Sequence, residues 1–132
     1  MSGPVDLARG WVLKGDSDVQ TARLVLTGPG PYDTTCFHAQ QAAEKYLKAV
    51  VALAGVAIPR THDLEVVLAE CQKIEPRLAL DRARLAILTP YAVQLRYNAD
   101  FWPDVLTARE ALAIAEEVRR GVAAVLSPTI VP

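Results

Sequence analysis

The sequence predicts an all-α domain, on three observations. Alanine and leucine, both strong helix formers, are its commonest residues. Proline and glycine gather as punctuation at Gly28-Pro29-Gly30-Pro31, Gly55 to Pro59, Pro76, Pro90, Pro103 and Pro128. Between these marks the apolar residues recur at i, i+3, i+4 and i+7, and no stretch sustains the alternation of a strand.

The first segment, about Val5 to Thr27, sets Ala8, Trp11, Val12, Gly15, Val19, Ala22 and Leu26 on one stripe, with Lys14, Asp16, Asp18 and Arg23 pointing elsewhere. Gly10 and Gly15 each weaken it, by up to about 1 kcal/mol relative to alanine. The second segment starts near Asp33 or Thr34, either of which can cap, and runs to about Ala54, with Gly55 as its C-terminal stop. Its apolar face is Cys36, Ala39, Ala43, Tyr46, Leu47, Val50 and Ala54; the opposite face carries His38, Gln41, Glu44, Lys45 and Lys48.

The third segment follows Pro59-Arg60-Thr61-His62, capped by Thr61 or Asp63, and ends at Glu75-Pro76. The fourth spans about Arg77 to Tyr97. Thr89-Pro90 inside it reads as an N-cap followed by a first-turn proline, so a kink or short break is expected there. The last segment aligns Ala108, Ala111, Leu112, Ala115, Val118, Val122 and Val125, and Thr107-Ala-Arg-Glu110 matches a capping box.

With 132 residues the chain suits one domain, its core over about 7–126 and residues 127–132 an irregular tail. Short connections favour an antiparallel up-down four-helix bundle with an additional short or kinked helix. In that topology His38 begins the second helix at one end, while Lys48, Arg60, His62 and Arg96-Tyr97 gather at the other, roughly 30 Å away. The two histidines then share no site within one subunit.

Fourteen Lys and Arg against 15 Asp and Glu leave a net charge of −1, which argues against coating nucleic acid or an anionic membrane. A local basic cluster stays compatible with that total. Two cysteines, without a Cys-x-x-Cys pair, build neither a disulfide scaffold nor a zinc site. The sequence opens without the charged and apolar blocks of a secretory signal, and its longest apolar stretch is about half a membrane span, so a cytoplasmic protein without membrane association is expected. No cofactor and no metal is implied.

Few residues carry chemistry. His62, at a helix start, reads as an acid/base group or anion contact, or as a cap that fixes the preceding loop. Arg96 with Tyr97 reads as a phosphate clamp with a stacking or modifiable ring, or as a neutralised helix C-terminus. The stripe His38, Gln41, Lys45, Lys48 is a solvated face or a dimer surface. Cys36 and Cys71 occupy core phases, and Phe101 and Trp102 cover a bundle end.

These motifs resemble a known family. Phe37-His38-Ala39-Gln40-Gln41-Ala42-Ala43-Glu44-Lys45-Tyr46-Leu47-Lys48-Ala49 is similar to the second-helix signature of HEPN domains. Thr61-His62-Asp63-Leu64 resembles the family's next block, and Pro90-Tyr91-Ala92-Val93 with Arg96-Tyr97 the one after, so the similarity runs from about Trp11 to Leu126. The resemblance implies a helical bundle, usually homodimeric. It also implies either an RNA-cleaving toxin encoded beside a minimal nucleotidyltransferase, or a non-catalytic module that binds RNA or nucleotide. The cutting members carry an arginine followed after four to six residues by histidine. Here Arg96 stands at the arginine position, and no histidine follows it.

The reading is therefore a binding or interaction module rather than an enzyme. It holds a nucleotide or RNA phosphate near Lys48, His62, Arg96 and Tyr97, uses His38, Gln41 and Lys45 as an interface, and partners a minimal nucleotidyltransferase. One alternative is a metal-independent endoribonuclease toxin whose rearranged site uses Arg96 and His62, with Tyr97 a target for adenylylation. The other is a purely structural helical adaptor.

Overall fold

The computed structural model describes residues 3–132. These form six helices, with no strand among the described residues: α1 Pro4–Leu26, α2 Asp33–Leu53, α3 Leu64–Ile74, α4 Arg82–Leu88, α5 Tyr91–Tyr97 and α6 Val105–Ala123.

α1 and α2 form an antiparallel hairpin whose register is read from cross-helix bonds. Thr35 Oγ1 donates to the Ala22 carbonyl at 3.2 Å near the turn, and the Lys48 ammonium lies 5.5 Å from the Trp11 ring centroid toward the other end. Gly15 is where the two helices touch: a Cβ there would sit 2.7 Å from the Tyr46 ring. The glycine that costs helix propensity thus permits close approach. α6 runs antiparallel to α1, with Arg23 reaching Glu116 and Arg119 reaching Asp16 at 3.0 and 2.8 Å. α2 is the central helix; Ala39, Ala42, Ala43, Tyr46, Leu47 and Ala49 are fully buried along it.

The connection after α2 departs from strict up-down alternation. The chain from Ala54 to Asp63 has no helix and turns back along α2, so that Gln40 Nε2 donates to the His62 carbonyl at 3.0 Å. Fourteen residues of helix separate Gln40 from Ala54, a climb of about 20 Å. α3 then descends beside α2 in the same direction: two residues beyond His62 it begins, and its Cys71 thiol meets the Leu47 carbonyl at 3.1 Å. α4 turns back against α6, pairing Arg84 with Glu117 at 2.7 Å and seating Leu80 on Gly121.

Local chemistry moves several boundaries from their expected places. Asp63, of the two candidates, caps α3 by accepting from the Glu65 and Val66 amides. The fourth helix starts at Arg82 rather than Arg77, because Asp81 accepts from the Ala83 amide and 77–81 form a turn and loop. The break at Thr89-Pro90 is present, but Thr89 caps another helix: its hydroxyl accepts the Leu64 amide at 3.2 Å. α2 begins at Asp33 with Tyr32 at its N-cap and no side-chain cap bond, so neither Asp33 nor Thr34 caps it. The capping box at Thr107 is not used; Asp104 is the N-cap of α6 and accepts the Thr107 amide at 2.8 Å. Residues 127–132 are not helical, yet Ile130 and Val131 are buried, and Arg9 Nε donates to the Thr129 carbonyl at 2.9 Å. Among the described residues no helix is long and apolar enough to cross a membrane.

Candidate functional site

α2 is buried on most of its surface and keeps one narrow seam partly open, formed by Thr34, Phe37, His38, Gln41, Lys45 and Lys48. Its spacing of three and four residues is that of one helix face. α1 borders the seam on one side, and the returning chain around His62 together with α5 borders it on the other.

On the far border, His62 Nδ1 lies 2.8 Å from Glu44 Oε1, while Lys48 Nζ donates to Glu44 Oε2 at 2.8 Å. Gln40 Nε2 adds a bond to Oε1 at 3.2 Å. Glu44 is only 3% exposed, a correction to its expected place on the outward face. Burial by itself pushes its carboxyl up; the hydrogen bonds from Lys48 and His62 and the Lys48 charge outweigh that and hold it below the ordinary glutamate range. The carboxylate fixes Nδ1–H inward and leaves Nε2 of His62 toward solvent, its side chain 60% exposed.

The α1 border repeats the arrangement. His38 Nδ1 is 2.7 Å from Asp18 Oδ1, and Lys45 donates to Oδ2 of the same carboxylate. Asp18 is 8% exposed, whereas its expected direction was away from the apolar stripe. The sequence carried the signal: Asp18 lies three residues after Gly15 and seven after Trp11, on the stripe's own phase. Desolvation raises the Asp18 carboxyl, and bonds from His38 and Lys45 more than reverse it. Next along α1, Asp16 binds Arg119 at 2.8 Å and accepts the Tyr46 hydroxyl. Burial and that carboxylate push the Tyr46 phenol up.

Two expectations about placement need correction. His62 pairs with a residue only six positions along α2 from His38, so both imidazoles face one seam within about 10 Å along the axis. The expected 30 Å fails because residues 54–63 carry the chain back. Arg96 does not gather with Lys48 at one end: its guanidinium lies 5.7 Å from the Phe37 ring centroid, near the start of α2. Phe37 and Glu44 are seven residues apart on one face, so Arg96 and His62 occupy the same border about two turns apart. Lys48 is mostly buried and neutralised by Glu44. Arg60 is exposed on the returning chain, and Arg96 is exposed without an ion pair among the described residues.

Tyr97 and Trp102 stand 78% and 65% exposed, so neither ring is packed as a lid; Phe101 instead lies 5.5 Å from Tyr91. Cys36 and Cys71 are core thiols, each pushed up to about 12 by burial. Among the described residues no group of three metal-ligating side chains comes together. Glu44, Asp18, Gln40 and Trp11, which orient the seam, are the residues sequence reasoning missed.

A central helix with one polar seam, two carboxylate-held imidazoles and helices on both flanks make up a small all-α module. The chain belongs to the HEPN family: the family model described as HEPN domain matches residues 8–125. It is similar to the crystal structure of TT1696 from Thermus thermophilus, with a TM-score of 0.75 and 27% sequence identity over 90% of this chain and 98% of that one. No curated protein matches the chain.

Proposed function

We propose that this HEPN chain is a binding module that holds a nucleotide or RNA phosphate against His62, works as a homodimer and partners a minimal nucleotidyltransferase. The observation that carries the reading is the buried Glu44 carboxylate behind an exposed imidazole. A histidine so held has one tautomer, and once protonated its outward Nε2–H donates to an anion with no cost of reorientation. Arg96, exposed along the same border, supplies a planar fork suited to phosphate. Lys48 contributes by holding Glu44, and Tyr97 offers an exposed ring and hydroxyl at the end of α5. Gln41, at the middle of the seam, is the contact for a second copy, because His38 and Lys45 are engaged with Asp18.

The test is titration of the purified chain with a short single-stranded RNA at 50 and 200 mM salt. Binding weakened at least tenfold by Arg96→Ala and by His62→Ala supports the reading, as does a salt slope lowered by Arg96→Ala. Affinity unchanged from the native chain in both variants removes it. Sedimentation of the native chain and Gln41→Arg reads the dimer, and co-purification with a neighbouring nucleotidyltransferase reads the partner.

The same dyad favours one second reading, a metal-independent endoribonuclease. An imidazole with Nδ1 on a carboxylate and Nε2 free can take the 2′-hydroxyl proton as the 2′-oxygen attacks phosphorus, and Arg96 can stabilise the phosphorane. The imidazolium then returns the proton to the 5′-oxygen as the P–O5′ bond breaks, leaving a 2′,3′-cyclic phosphate. RNA cleavage in the presence of chelator, abolished by His62→Ala, selects it; intact RNA at saturating protein rejects it.

A further inference from the structure

Three glycines stand inside long helices, and two have a packing reason. A side chain at Gly15 would collide with Tyr46, and one at Gly121 would collide with Leu80 at 2.6 Å. Gly10 is different: a Cβ there meets nothing within 4 Å. A helix interior disfavours glycine, and no contact among the described residues accounts for this one.

Gly10 lines an open groove of about 650 Å³ together with Asp6, Leu7, Trp11, Lys14 and Lys45. Its lining is mostly apolar: Leu7 is half exposed, Trp11 is partly exposed, and Gly10 adds no side chain to cover them. Ammonium groups edge it. Lys14 is exposed with no ion pair among the described residues, and Lys45 is held on Asp18. Asp6, the one acid at the edge, has Arg9 at 3.9 Å. Lys48, 5.5 Å from the indole centroid, donates to Glu44, whose other oxygen meets His62.

A partly exposed indole beside a free ammonium suits a planar ring that carries an anion. We infer that this groove is a nucleobase subsite, in which a purine stacks on Trp11 beside Gly10 and its phosphate is met by Lys14. It rests on the phosphate-binding reading and deepens it, because Lys48, beside the indole, is held by the same Glu44 carboxylate that holds His62. Stacking tolerates any base, so the subsite selects nucleotides or single strands without reading sequence. Lys45, tied to Asp18, also lines the groove.

The experiment uses Trp102→Phe as parent, leaving Trp11 as the single tryptophan, and follows its fluorescence on titration with 5′-AMP, adenosine and a six-residue oligoadenylate. Saturable quenching is expected, with AMP at least tenfold tighter than adenosine. Lys14→Ala is expected to erase that difference. Gly10→Leu, which fills open space and favours helix, is expected to lower affinity for AMP and the oligonucleotide at least tenfold with no fall in melting temperature. AMP or oligonucleotide binding undiminished by Gly10→Leu overturns the subsite and leaves the phosphate reading standing. Absence of binding to any of the three probes, with none to RNA, overturns both. A dimer that Gly10→Leu dissociates while AMP binding persists assigns the groove to a second copy and also overturns the subsite.

Discussion

Substituting Glu44→Gln tests whether the buried carboxylate organises the seam. The change keeps the shape and removes the charge at a residue 3% exposed. It leaves the Lys48 ammonium, whose side chain is 12% exposed, without its partner at 2.8 Å, and sets an amide NH₂ against either that ammonium or His62 Nδ1–H. Breaking a buried pair from one side costs about 3–5 kcal/mol. Lys48 lies 5.5 Å from the Trp11 ring centroid, a contact that moderates the cost, so a loss of about 3 kcal/mol is expected. For 132 residues the unfolding entropy is about 0.28 kcal/mol/K, and the melting temperature should fall by about 10 °C. Urea denaturation at pH 7 with an unchanged m-value measures it. A second substitution, Lys48→Met, should return more than half of the loss by removing the orphaned charge. A loss below about 1 kcal/mol, or a double variant as unstable as the sum of the singles, refutes the reasoning.

The two α1 glycines should respond with opposite signs to alanine: Gly15→Ala destabilises by about 1–3 kcal/mol through overpacking on Tyr46. Gly10→Ala stabilises by about 0.4–1 kcal/mol; thermal denaturation of both reads the contrast. Glu44 and Asp18 both titrate below their ordinary values in the fold. Their stabilisation is therefore complete above about pH 4–5 and is lost as pH falls through their lowered folded values. Urea midpoints taken from pH 6 to pH 3 should decline, and the decline should be shallower in an Asp18→Asn variant. Cys36 and Cys71 should resist a thiol reagent at pH 8 in the native chain and both react in urea, because burial pushes each up to about 12. Rapid native labelling of either thiol contradicts its core placement.

Helix identity was legible because it is local. Alanine-rich apolar stripes and Gly-Pro punctuation act within a few residues, so all the long helices were placed within a few positions and the break at Pro90 was anticipated. Capping choices were less legible: Thr89, the C-cap of α4, also accepts the amide of Leu64, a partner 25 residues away. Of the candidate residues, His62 and Arg96 do occupy one border of the seam, although the expected juxtaposition with Lys48 at a bundle end was wrong for Arg96.

What the sequence determined by itself is the set of helices, the core phases of Cys36 and Cys71 and the three motifs that resemble the family. Tertiary structure decided which polar groups became a site. Only the return of residues 54–63 along α2 brings His62 to Glu44, and only the hairpin register buries Asp18 against His38 and Lys45. A carboxylate on a helix face reads alike whether water or a neighbouring chain covers it. Burial and partner together choose its charge, and both are set by residues distant in sequence.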